Sequence, residues 1–376
     1  MSRRPTSYKD KPLYTPGPLT TSRTVKQAML RDLGSRDTEF ISMVRSIREK
    51  LLSVAGVERG AFEAVILQGS GTFSVEAVFS STVPPDGKVL ILSNGAYGER
   101  MAKICQVLKI NREVIRWPED RSPSVDETKK ALGSDPSITH VAIVHCETTT
   151  GILNDLESIG KAVKEAGKIY FVDAMSSFGA IPIDFETAGI DYLVSSANKC
   201  IEGVPGFGFV IARTSEFAKT QGYARSLSLD LHSQWKGLES NGQFRFTPPT
   251  HALIAFHQAL LELEEEGGVE GRMSRYQENH RVLIEGMRKM GFQEYLAPTL
   301  QGWIITSFLY PEHPNFNFEV FYNHLNDMGF VIYPGKLSQA ECFRIGNIGR
   351  LESFDMSALL LAIDQTLDRM KISREC

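Results

Sequence analysis

The chain has 376 residues, a formal net charge of −4 and 42% hydrophobic against 23% charged residues. That balance leaves no basic surplus for nucleic acid or an acidic membrane surface, and the length accommodates one large α/β domain plus a smaller one whose cores need neither disulfide nor metal. No early stretch combines a basic start, an apolar core and a small-residue cleavage site, and no run approaches the roughly 18 apolar residues of a membrane span, so a soluble cytoplasmic protein is expected.

Residues 1–22 contain Pro12, Thr15, Pro16, Gly17, Pro18, Thr20 and Thr21 and read as an extended amino-terminal arm. Over 25–52 apolar residues recur at helical spacing: Val25, Met29, Phe40, Met43, Val44, Ile47 and Leu51. Strand-like runs follow at 64–67, 89–93, 113–117, 140–145, 168–172, 192–195 and 207–212, with helix-like stretches at 73–81, 97–109, 125–132 and 155–166. The alternation predicts a mainly parallel, seven-stranded sheet between helices, an α/β fold. From 251 to 289 the period is helical, interrupted by Gly267-Gly268, and the remainder (304–309, 318–328, 331–333, 343–345 and 355–370) reads as a small α+β unit. The expected division is a 1–22 arm, a 23–266 large domain and a 267–376 carboxy-terminal domain. Open sheets of this kind bind ligands at the carboxyl ends of their strands, so the loops after the strands hold the candidate chemistry.

Gln68-Gly69-Ser70-Gly71-Thr72 follows a strand and opens a helix. Backbone N–H groups and hydroxyls at a helix start suit a phosphate, although a capped Gly-Ser-Gly turn has the same pattern. It is neither a Walker loop nor GxGxxG, because no Gly-Lys-Ser/Thr follows and Ser74 occupies the last glycine position. Ser93-Asn94-Gly95-Ala96-Tyr97-Gly98 follows the next strand, where Tyr97 is either a core residue or a lid over a flat ring. His145-Cys146-Glu147-Thr148-Thr149-Thr150 is a polar loop after an apolar strand. Its His145 reads as a satisfied core histidine and its Glu147 as a capping residue.

The strongest pair is Asp173, delivered by Ile169-Tyr170-Phe171-Val172, and Lys199, which follows the run from Tyr192. An acid and a lysine at the ends of two buried strands can face one small cavity. A pyridoxal phosphate enzyme needs that pairing: a lysine for the Schiff base and a carboxylate beside the pyridine nitrogen. Asp173 could also simply cap the following turn. Arg344 lies between Phe343 and Ile345 in a short alternating strand, where a guanidinium is expensive unless it meets an anion or an internal salt-bridge partner. Five cysteines (Cys105, Cys146, Cys200, Cys342, Cys376) without CxxC argue against a disulfide framework or zinc site, and Cys200 reads as a small buried residue rather than a nucleophile.

In this order the chain resembles the class V (fold-type I) pyridoxal phosphate aminotransferases. The resemblance rests on TPGPLTTS (15–22), LQGSGTFSVEAV (67–78), SNGAYGERM (93–101), HCETTTGILN (145–154), VDAMSSFGAIPID (172–184), YLVSSANKCIEGVPGFGFVIAR (192–213), RSLSLDL (225–231), RFTPPTH (245–251) and GFVIYPGKLSQAECFRIGNIG (329–349). It implies an aminotransferase acting on small molecules, with pyridoxal 5'-phosphate and no metal. Lys199 would hold the cofactor and Asp173 would pair with the ring nitrogen. Ser70, Gly71, Thr72 and Asn198 would take the phosphate. Tyr97 would cover one ring face, where many relatives have tryptophan, with Met175 on the other and Thr148 near the ring oxygen. Thr247 would reach the phosphate of a neighbouring subunit, which implies a homodimer with its active site at the interface. Arg344 would bind the substrate carboxylate or oxyacid, with Gly17 and Thr20 near the substrate entrance. A cysteine desulfurase is disfavoured for want of a cysteine in an evident mobile loop. A non-catalytic α/β scaffold is the reading from another class.

Overall fold

The computed structural model describes residues 10–335, 337 and 340–373. Its first half comprises α1 (Arg23–Ala28), α2 (Thr38–Val54), β1 (Phe62–Gly69), α3 (Gly71–Thr82), β2 (Lys88–Ser93), α4 (Ala96–Val107), β3 (Asn111–Arg116), α5 (Val125–Ser134) and β4 (Ile138–Val144). A short ribbon of β5 (Cys146–Glu147) and β6 (Ile152–Leu153) precedes α6 (Leu156–Glu165), β7 (Ile169–Asp173), β8 (Tyr192–Ser196), β9 (Gly206–Arg213) and α7 (Thr214–Phe217). Then come α8 (Leu231–Asn241), α9 (Thr250–Glu265), α10 (Gly268–Lys289), β10 (Ile305–Leu309), α11 (Phe318–Asp327), β11 (Tyr333–Pro334), β12 (Cys342–Gly346) and α12 (Ser353–Arg369).

Seven strands form one sheet in the order β1-β9-β8-β7-β4-β2-β3. β3, β2, β4, β7 and β8 pair in parallel, whereas β9 is antiparallel to both β8 and β1. β1 therefore points the same way as the parallel set, and six strands present their carboxyl ends along one edge. β8 is buried at every position and β7 at all but its first, as expected of strands covered on both faces. β3 closes the sheet with exposed Arg112 and Arg116, charges that discourage a further strand from adding. The sheet confirms the mainly parallel seven-stranded architecture read from the sequence.

A second apolar core gathers Leu283 and Met287 of α10, Phe321 and Leu325 of α11, and Leu359 and Ile363 of α12 over the antiparallel sheet β10-β12-β11. Phe343 is its centre, stacked on Phe308 at 5.8 Å and edge-on to Phe292 at 5.6 Å. Tyr14 of the arm is buried in this core, and its hydroxyl donates to the Asp355 carbonyl at 2.9 Å. The arm is further held by Tyr14 N–H on the Val331 carbonyl (2.8 Å) and Gly346 N–H on the Tyr14 carbonyl (3.0 Å).

Two sequence readings need correction. The helical spacing over 25–52 is two helices, because Gly34 interrupts the run and the Asp37 carboxylate starts α2 afresh by accepting the Glu39 N–H at 2.7 Å. The sequence reading also passed over α8, whose buried Leu231, Trp235 and Leu238 lie at helical spacing behind an Asp230 cap. The break at Gly267-Gly268 stands as expected, with both glycines at positive φ.

Candidate active site

Five loops meet at the shared carboxyl edge of the sheet. β1 leads into Ser70, which has extended backbone and starts α3 with its side chain making no capping bond. That leaves the first N–H groups of α3 directed out of the helix beside a free hydroxyl. β2 leads through Asn94 and Gly95 into α4, which carries Tyr97 and, one turn later, Arg100. β4 leads to the 145–151 loop, β7 ends on Asp173, and β8 is followed by Asn198 and Lys199. Because Asp173 is in register with Val194 of the parallel neighbour, the acid and the lysine emerge from adjacent strands on the same edge.

The loops after β1, β2, β7 and β8, with Gly17 of the arm, enclose a cavity of about 190 Å³. Gly17, Ser70, Gly71, Thr72, Tyr97, Asp173, Met175, Asn198 and Lys199 all line it, together with Arg100 and Ser196. Close approach explains two of the glycines. A Cβ on Gly71 would collide with the Met175 thioether. One on Gly17, whose φ is +120°, would lie 2.8 Å from Lys199 Cδ.

Both ionisable groups are strained by burial. Asp173 is 4% exposed and accepts the Met175 N–H at 2.9 Å. Desolvation raises its pKa to about 6, and that hydrogen bond and the nearby Lys199 only partly oppose the rise. Lys199 is 8% exposed, and its Nζ donates to the Pro16 carbonyl at 2.6 Å. Desolvation lowers its pKa to about 8. A buried acid and amine pushed in opposite directions, sharing one cavity, mark a candidate functional site.

The neighbouring loop serves as scaffold. Glu147 is fully buried and accepts the N–H groups of Tyr97 (3.1 Å), Gly98 (3.3 Å) and Thr149 (3.1 Å) and the Thr149 hydroxyl (2.6 Å). It caps α4 from a distant loop, so it is a capping residue, as read, though not a local one. His145 shares a hydrogen bond with Ser177 Oγ at 2.9 Å, and burial lowers its pKa to about 3, so it is a neutral core histidine. Cys200 is buried with its thiol pushed up to about 12, which removes it as a nucleophile.

Four of the expected site residues are not among the cavity walls. Thr148 Oγ1 pairs with Ser176 Oγ at 2.9 Å, and its carbonyl accepts Arg344 Nη1 at 2.7 Å. Arg344 is 3% exposed, donates through Nε to the Pro334 carbonyl at 3.0 Å, and lies 4.9 Å from the Tyr333 ring centroid. Among the described residues no carboxylate pairs with it, so a buried guanidinium is held in place by two neutral carbonyls with its charge uncompensated. The Thr20 hydroxyl folds back onto Leu13 N–H at 2.8 Å. Thr247 is exposed on a loop tied to Gln68, whose Nε2 donates to the carbonyls of Phe246 and Thr247. Arg100, within SNGAYGERM, is a cavity residue that the sequence analysis does not single out. The available signal was its i, i+3 spacing from Tyr97, which stacks its guanidinium over that ring at 4.6 Å.

The profile of the aminotransferase class-V family matches residues 20–328. The chain belongs to this family. It is 53% identical over 357 residues to the 2-aminoethylphosphonate–pyruvate transaminase of Vibrio vulnificus, covering 94% of this chain and 97% of that protein. It is 52% identical over 368 residues to the enzyme of that name from Syntrophobacter fumaroxidans, covering 97% and 99%. Among solved structures, an alanine–glyoxylate aminotransferase from Nostoc sp. superposes with a TM-score of 0.89 at 25% identity over 98% of both chains. Among the described residues no helix is long and apolar enough to cross a membrane, and no group of side chains could hold a metal ion.

Proposed function

We propose that this protein transfers the amino group of 2-aminoethylphosphonate to pyruvate, giving phosphonoacetaldehyde and L-alanine in the degradation of phosphonates. The observation that carries this reading is 52–53% identity to transaminases of that name over nearly the whole of both chains. As a class-V aminotransferase, the protein uses pyridoxal 5'-phosphate.

The cavity fits that cofactor. It offers an uncapped helix start, a buried amine, a buried acid, and the Tyr97 ring and Met175 thioether as apolar walls. When bound, the cofactor supplies the electron sink for breaking a C–H bond beside nitrogen. Lys199 Nζ would hold it. Asp173 would keep the ring nitrogen protonated, and the new positive charge would pull this raised carboxyl back to its ionised form. Ser70, Gly71 and Thr72 at the start of α3, with Asn198, would hold the phosphate. Tyr97 and Met175 would flank the ring, and Thr148 would stand near its oxygen.

With its pKa near 8, Lys199 exists partly as the free base near neutrality, so it can take a proton from the donor carbon that bears nitrogen and return it later. Arg344 would bind the phosphonate of the donor and the carboxylate of pyruvate in turn, with Gly17 and Thr20 at the entrance. A buried guanidinium with no carboxylate partner among the described residues supports that role, since an incoming anion relieves its desolvation.

We further read the protein as a cytoplasmic homodimer in which the partner subunit's Thr247 reaches the cofactor phosphate. Exposed Phe73 (52%) and Phe246 (44%), one on α3 and one beside Thr247, support an apolar interface there. The two apolar cores likewise support a division into an arm (1–22), a large cofactor-binding domain (23–266) and a small domain (267–376).

An amino-donor screen against pyruvate, reading alanine formation, tests the reading. 2-Aminoethylphosphonate is expected to be the best donor. Faster transfer from alanine to glyoxylate would overturn it in favour of an alanine–glyoxylate aminotransferase.

A further inference from the structure

We propose that Arg100 is a binding residue for the phosphate group of the cofactor; the proposal rests on the pyridoxal phosphate reading above. Arg100 lies in the cavity wall, on α4, facing the first turn of α3. Its Nη1 donates to Thr72 Oγ1 at 3.3 Å, and its guanidinium stacks on the Tyr97 ring at 4.6 Å. Two neutral groups therefore hold it, and among the described residues no ion pair involves it. Its charge reaches the centre of the site only as a minor influence on Lys199 and Asp173, behind burial and nearer groups.

Charge balance makes the position informative. A phosphate monoester enters with nearly two negative charges, and the helix start offers about half a positive charge. Among the described residues the only cations in the cavity wall are Lys199 and Arg100. Lys199 Nζ would be committed to the cofactor's carbonyl carbon. That leaves Arg100 as the lining side chain with a permanent charge to place against the phosphate. Its planar fork can bond two phosphate oxygens after releasing the long contact to Thr72.

The test uses the full chain as wild type, Arg100→Gln and Arg100→Lys, each stripped of cofactor and titrated by absorbance with pyridoxal 5'-phosphate. Parallel titrations use pyridoxal, which keeps the ring and aldehyde but lacks the phosphate. Arg100→Gln should weaken pyridoxal phosphate about tenfold to a hundredfold while changing pyridoxal by less than about twofold, with Arg100→Lys in between. Equal losses for both ligands, or none for either, would overturn the assignment. Unchanged pyridoxal phosphate affinity with a raised KM for the phosphonate donor would move Arg100 to the substrate and overturn it too. A wild type that binds neither ligand would instead remove the cofactor reading, and the role of Arg100 with it.

Discussion

Lys199 Nζ donates to the carbonyl oxygen of Pro16 at 2.6 Å, so the amine that follows β8 is held by the amino-terminal arm, 183 residues away in sequence. The arm is anchored in the second core through Tyr14, and it thereby couples the position of the reactive amine to the packing around Phe343. Gly17 makes the approach possible. Its Gly17→Ala variant would add a methyl 2.8 Å from Lys199 Cδ at a φ of +120°, a combined penalty of roughly 1–3 kcal/mol. The expected outcome is a loss of about tenfold or more in kcat/KM with cooperative thermal unfolding retained. Wild-type kinetics would show that the arm does not restrain Lys199.

Lys199→Ala should bind cofactor weakly and complete no more than a single turnover, because both the covalent anchor and the proton carrier are gone. Sustained alanine production by this variant would remove Lys199 from its assigned role.

The depressed pKa of Lys199 sets a pH dependence. The ammonium form dominates below about 8 and the free amine above it, so cofactor recombination should quicken as pH rises and level off above about 8. Stopped-flow absorbance between pH 6 and 10 measures the midpoint. A value near the ordinary lysine 10.5 would mean that the amine is solvated.

Asp173 carries the opposite burden. Its carboxyl, raised from 3.8 to about 6, binds a proton more tightly in the folded chain than in the unfolded one. Its contribution to the stability of cofactor-free protein is therefore full below about pH 4 and lost as pH rises through 6. Asp173→Asn should stabilise cofactor-free protein by roughly 2–3 kcal/mol at pH 8 and by little near pH 4, while severely reducing transamination. Denaturant unfolding at the two pH values checks this, and a destabilised variant at pH 8 would contradict the burial argument.

Glu147→Ala would orphan the N–H groups of Tyr97 and Gly98 and leave a void under α4. A loss of about 2–4 kcal/mol in unfolding free energy is expected. A change below about 0.5 kcal/mol would show that the α4 start needs no buried cap.

Arg344→Ala should raise KM for both 2-aminoethylphosphonate and pyruvate by at least about tenfold, since both would present an anion to this guanidinium. An effect confined to one substrate would require a second anion site.

Much of the site was legible because its residues sit where strands end. Apolar runs stopping at Asp173 and at the turn before Lys199 are visible in one dimension, and a parallel sheet necessarily lines up its carboxyl ends. The seven strands were legible for a related reason: each is a short apolar run, and both faces are covered. α8 and the break before Asp37 were less visible because amphipathic spacing continues across a short loop, while the restart depends on one capping side chain. The pairing of Glu147 with α4 had no local signature, since its partners lie 49 and 50 residues away.

The strand–helix alternation and the acid and amine at strand ends could be read in one dimension, because periodicity and residue type are local properties. It took the folded chain to show that Pro16 restrains Lys199, that Glu147 starts α4, and that Arg100 faces the α3 start with no countercharge among the described residues. Those relationships arise when distant loops converge on one desolvated cavity, where burial, and not position along the chain, sets which charges are held apart and which are left to meet a ligand.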